Sequence, residues 1–407
     1  MPALQTFAKN ANETGVKRTE HKQARVTLTR TIEPANRGLK ILLAALCVLV
    51  LVTTLSAGLW PFSFHAENTV TWNPDRAGLF FGDHGMVISK GPFSGTATDG
   101  AGGCSMEILL NPARASDAGT ILSFYNPQAS SWIQLRQSID DLAFTRSLGP
   151  AYNHKNQRSM FVDHALQKGQ WILVTLTSSG GVLSVYLNGV IRETAKNVDL
   201  RPGDFAGTLI VGTSPYGNSS WSGTVRGLAL YDHALRSGEI ARDYRAWQKN
   251  KDGLALSEAT PFSLYRFDEG GGTILHNLGK SGSDLEIPAD YFIMQPGFLV
   301  PFWREYHANW EYLQDLAINV FGLLPLGFCF SALFAWRMGV RRCLLFTTIL
   351  GFCVSLTIEI LQGYMAIRIS GTTDLITNTS GTALGAWLYL NADVQGWFKR
   401  LGLVRTA

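Results

Sequence analysis

Apolar residues collect at the two ends of this chain, in unbroken runs, while the stretch between them alternates. From Ile41 to Leu59 no charge follows Lys40. About 20 apolar residues cross a bilayer core, so this run predicts a transmembrane helix over 39–60. A cleaved signal peptide fits poorly, because the preceding basic region is long and Leu55-Ser56-Ala57 is a poor small-x-small cleavage site. Three further runs, roughly 315–335, 343–365 and 372–391, predict transmembrane helices two to four within 315–391. The last is diluted by Asn378, Thr379, Ser380 and Thr382, yet its Gly381-x-x-x-Gly385 offers a face for close helix packing.

The middle reads as β. In Val182-Leu-Ser-Val-Tyr-Leu, Leu183, Val185 and Leu187 share one face, and Ser184, Tyr186 and Asn188 the other. Asn188-Gly189 then supplies the positive φ angles of a two-residue hairpin turn. Trp171-Ile-Leu-Val-Thr-Leu-Thr is a second β-branched run, and others lie at 103–110, 119–125, 131–137, 141–146, 207–212 and 222–231. Many short strands between Gly, Asn, Pro and Ser clusters predict one antiparallel sandwich over 65–300. One helix interrupts it at about 235–248, where Leu235, Ile240, Tyr244 and Trp247 share a face. Residues 301–314 read as an interfacial linker.

Composition agrees with that division. Of 407 residues 46% are hydrophobic and only 16% charged, against roughly 25% charged in an ordinary soluble domain. A net charge of +4 over this length is no footprint of nucleic-acid binding. Charge position sets orientation. Residues 1–38 hold seven Lys/Arg against three Glu and read as a disordered cytoplasmic tail. Arg337, Arg341 and Arg342 crowd the link between spans two and three, and Lys399, Arg400 and Arg405 mark 392–407 as a second cytoplasmic tail. By the positive-inside rule both termini are cytoplasmic and 65–310 is extracytoplasmic, on a multi-pass protein of the cell membrane. Four of five cysteines lie in apolar runs and only Cys104 in the polar middle, so no disulfide framework is expected there.

That topology brings six polar residues to one depth. Asp315 and Asn319 fall in the outer half of span two, Glu359 and Gln362 near the outer end of span three, and Asp374 and Asn378 at the outer end of span four. At a rise of about 1.5 Å per residue all six lie within roughly 10 Å of the external interface. Each pair shares a helix face, and Arg368 lies beside them. An ionisable group inside a membrane is a functional candidate by default. The plainer alternative makes Glu359 and Arg368 an ion pair and the amides helix-joining glue. Pro325 adds a possible kink near the cluster.

Two family resemblances rest on different residues. Trp171-Ile-Leu-Val-Thr-Leu, Val185-Tyr-Leu-Asn-Gly-Val190, Ile210-Val-Gly and Trp221-Ser-Gly-Thr-Val-Arg-Gly-Leu-Ala-Leu-Tyr-Asp232 resemble the laminin-G-like, concanavalin A-like jelly-roll family over about 78–250. Tyr265-Arg-Phe-Asp-Glu-Gly-Gly-Gly-Thr273 looks like the strand that usually opens such domains, here placed last. The spans resemble the VanZ-like family, whose namesake is linked to low-level teicoplanin resistance. The matching residues are Trp60-Pro61-Phe62, Asp315-x-x-x-Asn319 with Pro325-Leu-Gly327, Ser355-x-x-x-Glu359-x-x-Gln362, and Arg368 followed by Asp374-x-x-x-Asn378-x-x-Gly381. Related sequences tend to carry another acid between the Arg and the Asp. Ile369-Ser-Gly-Thr-Thr373 has none. Together the two resemblances predict a membrane α-helical bundle of four transmembrane helices, with an extracytoplasmic all-β jelly-roll sandwich inserted between helices one and two.

The functional expectation is a cell-envelope protein. Asp315, Asn319, Glu359, Gln362, Arg368, Asp374 and Asn378 would bind a lipid-linked or glycan-related ligand at an outer-leaflet pocket. Trp132, Tyr152, Tyr216 and Trp221 on the sandwich would stack on surface glycan, although Trp171 and Trp221 could equally be core. The alternatives are an intramembrane enzyme with Glu359 as its acid or base, or a purely structural, adhesive surface protein. No nucleophile with a His partner and no zinc spacing appears, and Asp140-Asp141 reads as a hairpin turn, so the reading leans away from an enzyme. No cofactor is called for. Calcium suits a jelly roll, but no ligand cluster is readable.

Overall fold

The computed structural model describes residues 32–34, 37–62, 64–74, 78–94, 103–149, 156–217, 219–250, 260–305, 310–365 and 368–406. Tyr152 and nearly all of the basic N-terminal segment lie outside them. The chain forms two compact units, one of residues 63–296 and one of 1–62 together with 297–407.

The 63–296 unit is a sandwich of two antiparallel sheets. One runs in spatial order Gln157–Val162, Asp141–Leu148, Ser131–Ser138, Thr120–Asn126, Ala206–Val211, Val87–Ser89, Leu285–Glu286 and Ile274–Leu275. The other runs Val190–Ala195, Val182–Leu187, Ile172–Ser179, Cys104–Pro112, Gly223–Tyr231, Leu79–Phe81 and Val70–Trp72. The 182–195 hairpin turns through Asn188 and Gly189, both at positive φ (54° and 79°). Leu183, Val185 and Leu187 enter the sandwich core while Tyr186 faces the other side.

Cys104–Pro112 is buried along both faces. Cys104, Met106, Ile108 and Leu110 fill the space between the sheets. Leu109 instead joins Leu173, Ala229 and Tyr231 against Ile240 and Trp247 of the helix Ser237–Asn250. A covered outer face explains why this strand reads as a continuous apolar run rather than an alternating one. Ser263–Tyr265 lies antiparallel to Leu228–Leu230, on the same long strand whose Gly223–Val225 pairs with Leu79–Phe81. Two distant segments thus share one sheet position end to end. Ala66–Glu67 pairs with Asp290–Tyr291, bringing the two ends of the unit together. All five cysteines are free.

Numbering helices along the chain, α1 is Arg37–Leu59, α2 the Ser237–Asn250 helix, α3 Phe302–Glu305, α4 Trp310–Phe334, α5 Val340–Gln362, α6 Thr372–Leu390 and α7 Ala392–Arg400. Among the described residues three helices are long and apolar enough to cross a membrane: α1, Tyr312–Phe334 of α4, and α5. The α6 helix is not one of them, its first half being rich in Thr and carrying Asp374 and Asn378. It packs closely on α4. A Cβ on Gly381 would overlap the Val320 carbonyl oxygen, one on Gly385 that of Leu324, and one on Gly327 that of Thr382. These small residues let two backbones touch. By contrast α1 buries only Cys47. Ile32–Pro34 pairs antiparallel with Val404–Thr406, joining the segment before α1 to the C-terminal end.

Candidate functional site

The start of α6 shows how this part of the chain is held. A helix begins with N–H groups that have no partner inside it, and here each of the first three finds one elsewhere. Gly371 N donates to Glu359 Oε2 at 2.8 Å. Thr372 N donates to the Val300 carbonyl at 2.8 Å. Thr373 N donates to Glu305 Oε2 at 2.9 Å, and the Thr373 hydroxyl donates to the same oxygen. Two carboxylates therefore sit at the positive end of the α6 dipole, where negative charge is favoured. Glu359 is 1% exposed, and this bond gives it a structural task. Glu305 was not singled out from the sequence. It delivers to the 369–373 loop the acid which that loop lacks.

The amides act as helix-to-helix ties. Asn319 of α4 donates to Asp374 Oδ1 of α6 at 2.7 Å. Asn378 of α6 donates to Ser355 Oγ of α5 at 3.1 Å. Gln362 of α5 donates to the Gly58 carbonyl of α1 at 2.7 Å. Arg368 does not pair with Glu359 in the described contacts. Its guanidinium is exposed and donates to the Trp60 carbonyl at 2.6 Å.

Between α1, α4, α5 and α6 lies a cavity of about 410 Å³. Asn319, Glu359, Gln362, Asp374 and Asn378 line it, with Thr53, Thr54 and Pro325, and apolar walls from Leu49, Val50, Ile318, Leu323 and Ile358. Five of the seven polar residues singled out from the sequence thus converge. Asp315 is exposed, and neither it nor Arg368 reaches the lining. Among the lining residues there is no Lys, Arg or His. Asn378 is 6% exposed and its Oδ1 is buried without a hydrogen-bond partner.

On the sandwich, the aromatic set changes. Trp221 is fully buried, and its Nε1 donates to Gln137 Oε1 at 2.9 Å. It is a core residue and has no face for a sugar. Trp132 is 8% exposed, with its ring edge-on to Tyr216 at 6.2 Å. Packing against neighbouring aromatics covers a ring whose strand position looked outward. Tyr216 alone of the four is half-exposed among the described residues. Asp140, Asp141 and His164 offer ligand atoms within 4.8 Å of one another, a grouping not read from the sequence. It is closed on itself: His164 Nδ1 and Asp140 Oδ2 are 2.6 Å apart, and His164 N donates to Asp141 Oδ1 at 2.9 Å. The Asp140 bond holds the exposed imidazole above its ordinary pKa and the carboxyl below.

The other ionisable cluster is buried. Glu107 accepts from Thr175 Oγ1 at 2.8 Å and from the Tyr231 hydroxyl at 3.2 Å. Burial first, then the charge of Asp243 on α2, push its pKa up to about 7. Both carboxyls are 0% exposed. Elsewhere in the unit Arg146 binds Asp204 at 2.7 Å and Asp199 at 3.0 Å.

Comparison with known proteins gives two family matches. The VanZ/LLP1 family matches residues 273–394, which includes α4 to α6 but not α1. The concanavalin A-like lectin/glucanases superfamily matches residues 92–241. No curated protein matches the chain. Solved structures similar to it include the receptor binding domain of botulinum neurotoxin D, at 14% identity and TM-score 0.35, covering 44% of this chain and 46% of that one. A putative carbohydrate binding protein from Bacteroides ovatus ATCC 8483 is 16% identical at TM-score 0.36, covering 53% and 61%. A SAP-like pentraxin from Limulus polyphemus is 17% identical at TM-score 0.31, covering 53% and 97%. The chain thus spans less than half of the neurotoxin domain it matches. Scores this low carry nothing about ligands.

Proposed function

Starting from a chain that joins a VanZ-like helical region to a concanavalin A-like domain, we propose a multi-pass cell-envelope membrane protein that binds a lipid-borne, glycan-related ligand. The ligand sits in the α1–α4–α5–α6 cavity, and the sandwich engages surface glycan. The observation that carries the reading is convergence: polar residues from three helices line one cavity whose remaining walls are apolar. An amphiphile needs that combination, and a merely anchoring bundle does not. In this reading α6 is the fourth span. Its polar first half is tolerable because Asn378, Thr382 and Gly385 are buried against neighbouring helices rather than lipid. Both termini are cytoplasmic and the sandwich lies outside, from the Lys/Arg bias. The Ile32–Pro34 pairing with Val404–Thr406 supports the first part, since it brings the segment just before α1 and the segment after α7 together.

The test uses the full chain purified with its native lipids. Gly322 lines the cavity and a Cβ there meets nothing within 4 Å, so Gly322→Phe fills the space without disturbing the helices. Native mass spectrometry should find a co-purifying amphiphile on the wild type and not on Gly322→Phe. An identical lipid complement on both proteins sinks the proposal.

A further inference from the structure

The cavity has a chemical polarity that its residue names do not announce. Each of its amide groups has one N–H committed, Asn319 to Asp374, Asn378 to Ser355 and Gln362 to Gly58. The Thr53 hydroxyl donates to the Leu49 carbonyl at 2.9 Å. Beside the second N–H of each amide, the capacity that remains is accepting: the carboxyl groups of Glu359 and Asp374, each with one oxygen outside the Gly371 and Asn319 bonds, and the buried, unpartnered Asn378 Oδ1. Either orientation of the Asn378 amide leaves one of its polar atoms for a ligand, and the carboxylates keep acceptors in the majority.

An anion has nothing to bind there. No cationic side chain lines the cavity. Arg368, the cation the sequence placed beside the carboxylates, turns to the Trp60 carbonyl. The start of α6, a natural anion site, is filled by Glu305 and Glu359. A phosphate brought to this place would face two acidic side chains and no cation to neutralise it, in a setting where an unpaired charge is costly. Hydroxyl groups, which donate and accept, would meet both the unpartnered Asn378 Oδ1 and the remaining carboxyl oxygens and amide N–H groups. Leu49 and Ile318 line the cavity and are also 61% and 58% exposed on the outside of the helices. An apolar chain can therefore lie across that side while its head is inside.

We infer that the cavity takes an uncharged, hydroxyl-bearing headgroup, a glycosyl or polyol unit on an apolar chain, and rejects the phosphorylated form of such an amphiphile. This rests on the cavity being a ligand site at all, and the experiment separates the two. A photoreactive alkyl glucoside is crosslinked to the full chain in detergent, its position mapped, and labelling competed with dodecyl glucoside or dodecyl phosphate. The glucoside should compete at concentrations at least about tenfold lower than the phosphate, the loss of one good hydrogen bond being worth about that factor. Asn378→Leu should weaken the glucoside about tenfold. Asp374→Asn, which keeps shape and removes charge, should narrow the glucoside-to-phosphate ratio. Labelling that maps to the cavity and yields to Gly322→Phe, but is competed as well by the phosphate, overturns the headgroup assignment and leaves the cavity reading standing. Labelling unaffected by Gly322→Phe overturns the cavity reading and this inference with it.

Discussion

Glu107 offers a quantitative test of the sandwich. It is completely buried beneath α2 and faces Asp243, with Thr175 and Tyr231 donating to it. Its pKa rises from 4.5 to about 7 on folding, so the folded domain holds a proton that the unfolded chain releases between those values. Stability follows the difference in bound protons. This group's contribution is complete below about pH 4.5 and is lost as pH rises towards about 7. A shift of this size amounts to about 3 kcal/mol. Glu107→Gln keeps the volume and resembles the protonated acid, one oxygen accepting and the NH2 donating to the second hydroxyl, but it cannot ionise. Urea unfolding of residues 63–296 from pH 5 to pH 8 should give similar stabilities at the acid end and a gap near 3 kcal/mol at pH 8, with the variant more stable. Because the other titrating groups are common to both proteins, the difference reports Glu107 together with the Asp243 coupled to it. In a thermal scan the gap corresponds to roughly 6–12 °C for a domain of this size. Parallel curves across the range, or a variant less stable at pH 8, would refute the reasoning.

Three further outcomes are expected. Gly385→Leu drives a side chain into the Leu324 carbonyl and should cost about 1–3 kcal/mol or more, read as a fall in the melting temperature of the full chain in detergent. Glu305→Ala removes the cap on Thr373 and should cost about 1–2 kcal/mol, while Glu305→Gln should recover part of it, measured in the same scan. The 63–296 fragment should melt cooperatively at a temperature unmoved by reductant or chelator. A chelator-dependent drop that Asp140→Asn abolishes would instead reveal a bound cation at Asp140, Asp141 and His164.

What the sequence disclosed follows from what each signal encodes. The Asn188-Gly189 turn was legible because few residue pairs accept two positive φ angles in succession. The Gly381 and Gly385 face was legible because small residues four apart permit only one kind of neighbour. Helix spacing put Glu359 with Gln362, and Asp374 with Asn378, on shared faces, and all four line the cavity. Spacing fixes which residues share a face but not how far along the helix a cavity extends. Asp315, one turn before Asn319 on the same face, therefore ends exposed beyond the lining. Nor does it say which of several polar partners a cation chooses, and Arg368 took a backbone carbonyl. Glu305 sits in an irregular aromatic stretch with no periodicity, so nothing local announced that it reaches Thr373. Aromatic exposure was unreadable for a related reason. Whether Trp221 faces a core or a sugar depends on the second sheet, whose Gln137 holds it.

The glycine contacts of α4 with α6 also bear on timing. Backbones locked against each other make a stiff frame, and α5 is tied to α6 through Ser355 and Asn378. The α1 helix buries only Cys47 but meets that frame at several points: Leu43 in the apolar cluster that holds Phe328, Lys40 over the Trp336 ring, Gly58 against Ile358, and the Gln362 and Arg368 bonds to Gly58 and Trp60. The frame is therefore closed by side chains on the α1 side and by touching backbones between α4 and α6. Substitutions at the α1 contacts outside the lining, such as Leu43, should then alter how fast a guest comes and goes more than how tightly it is held. Substitutions at lining residues on any of the four helices should change the grip itself.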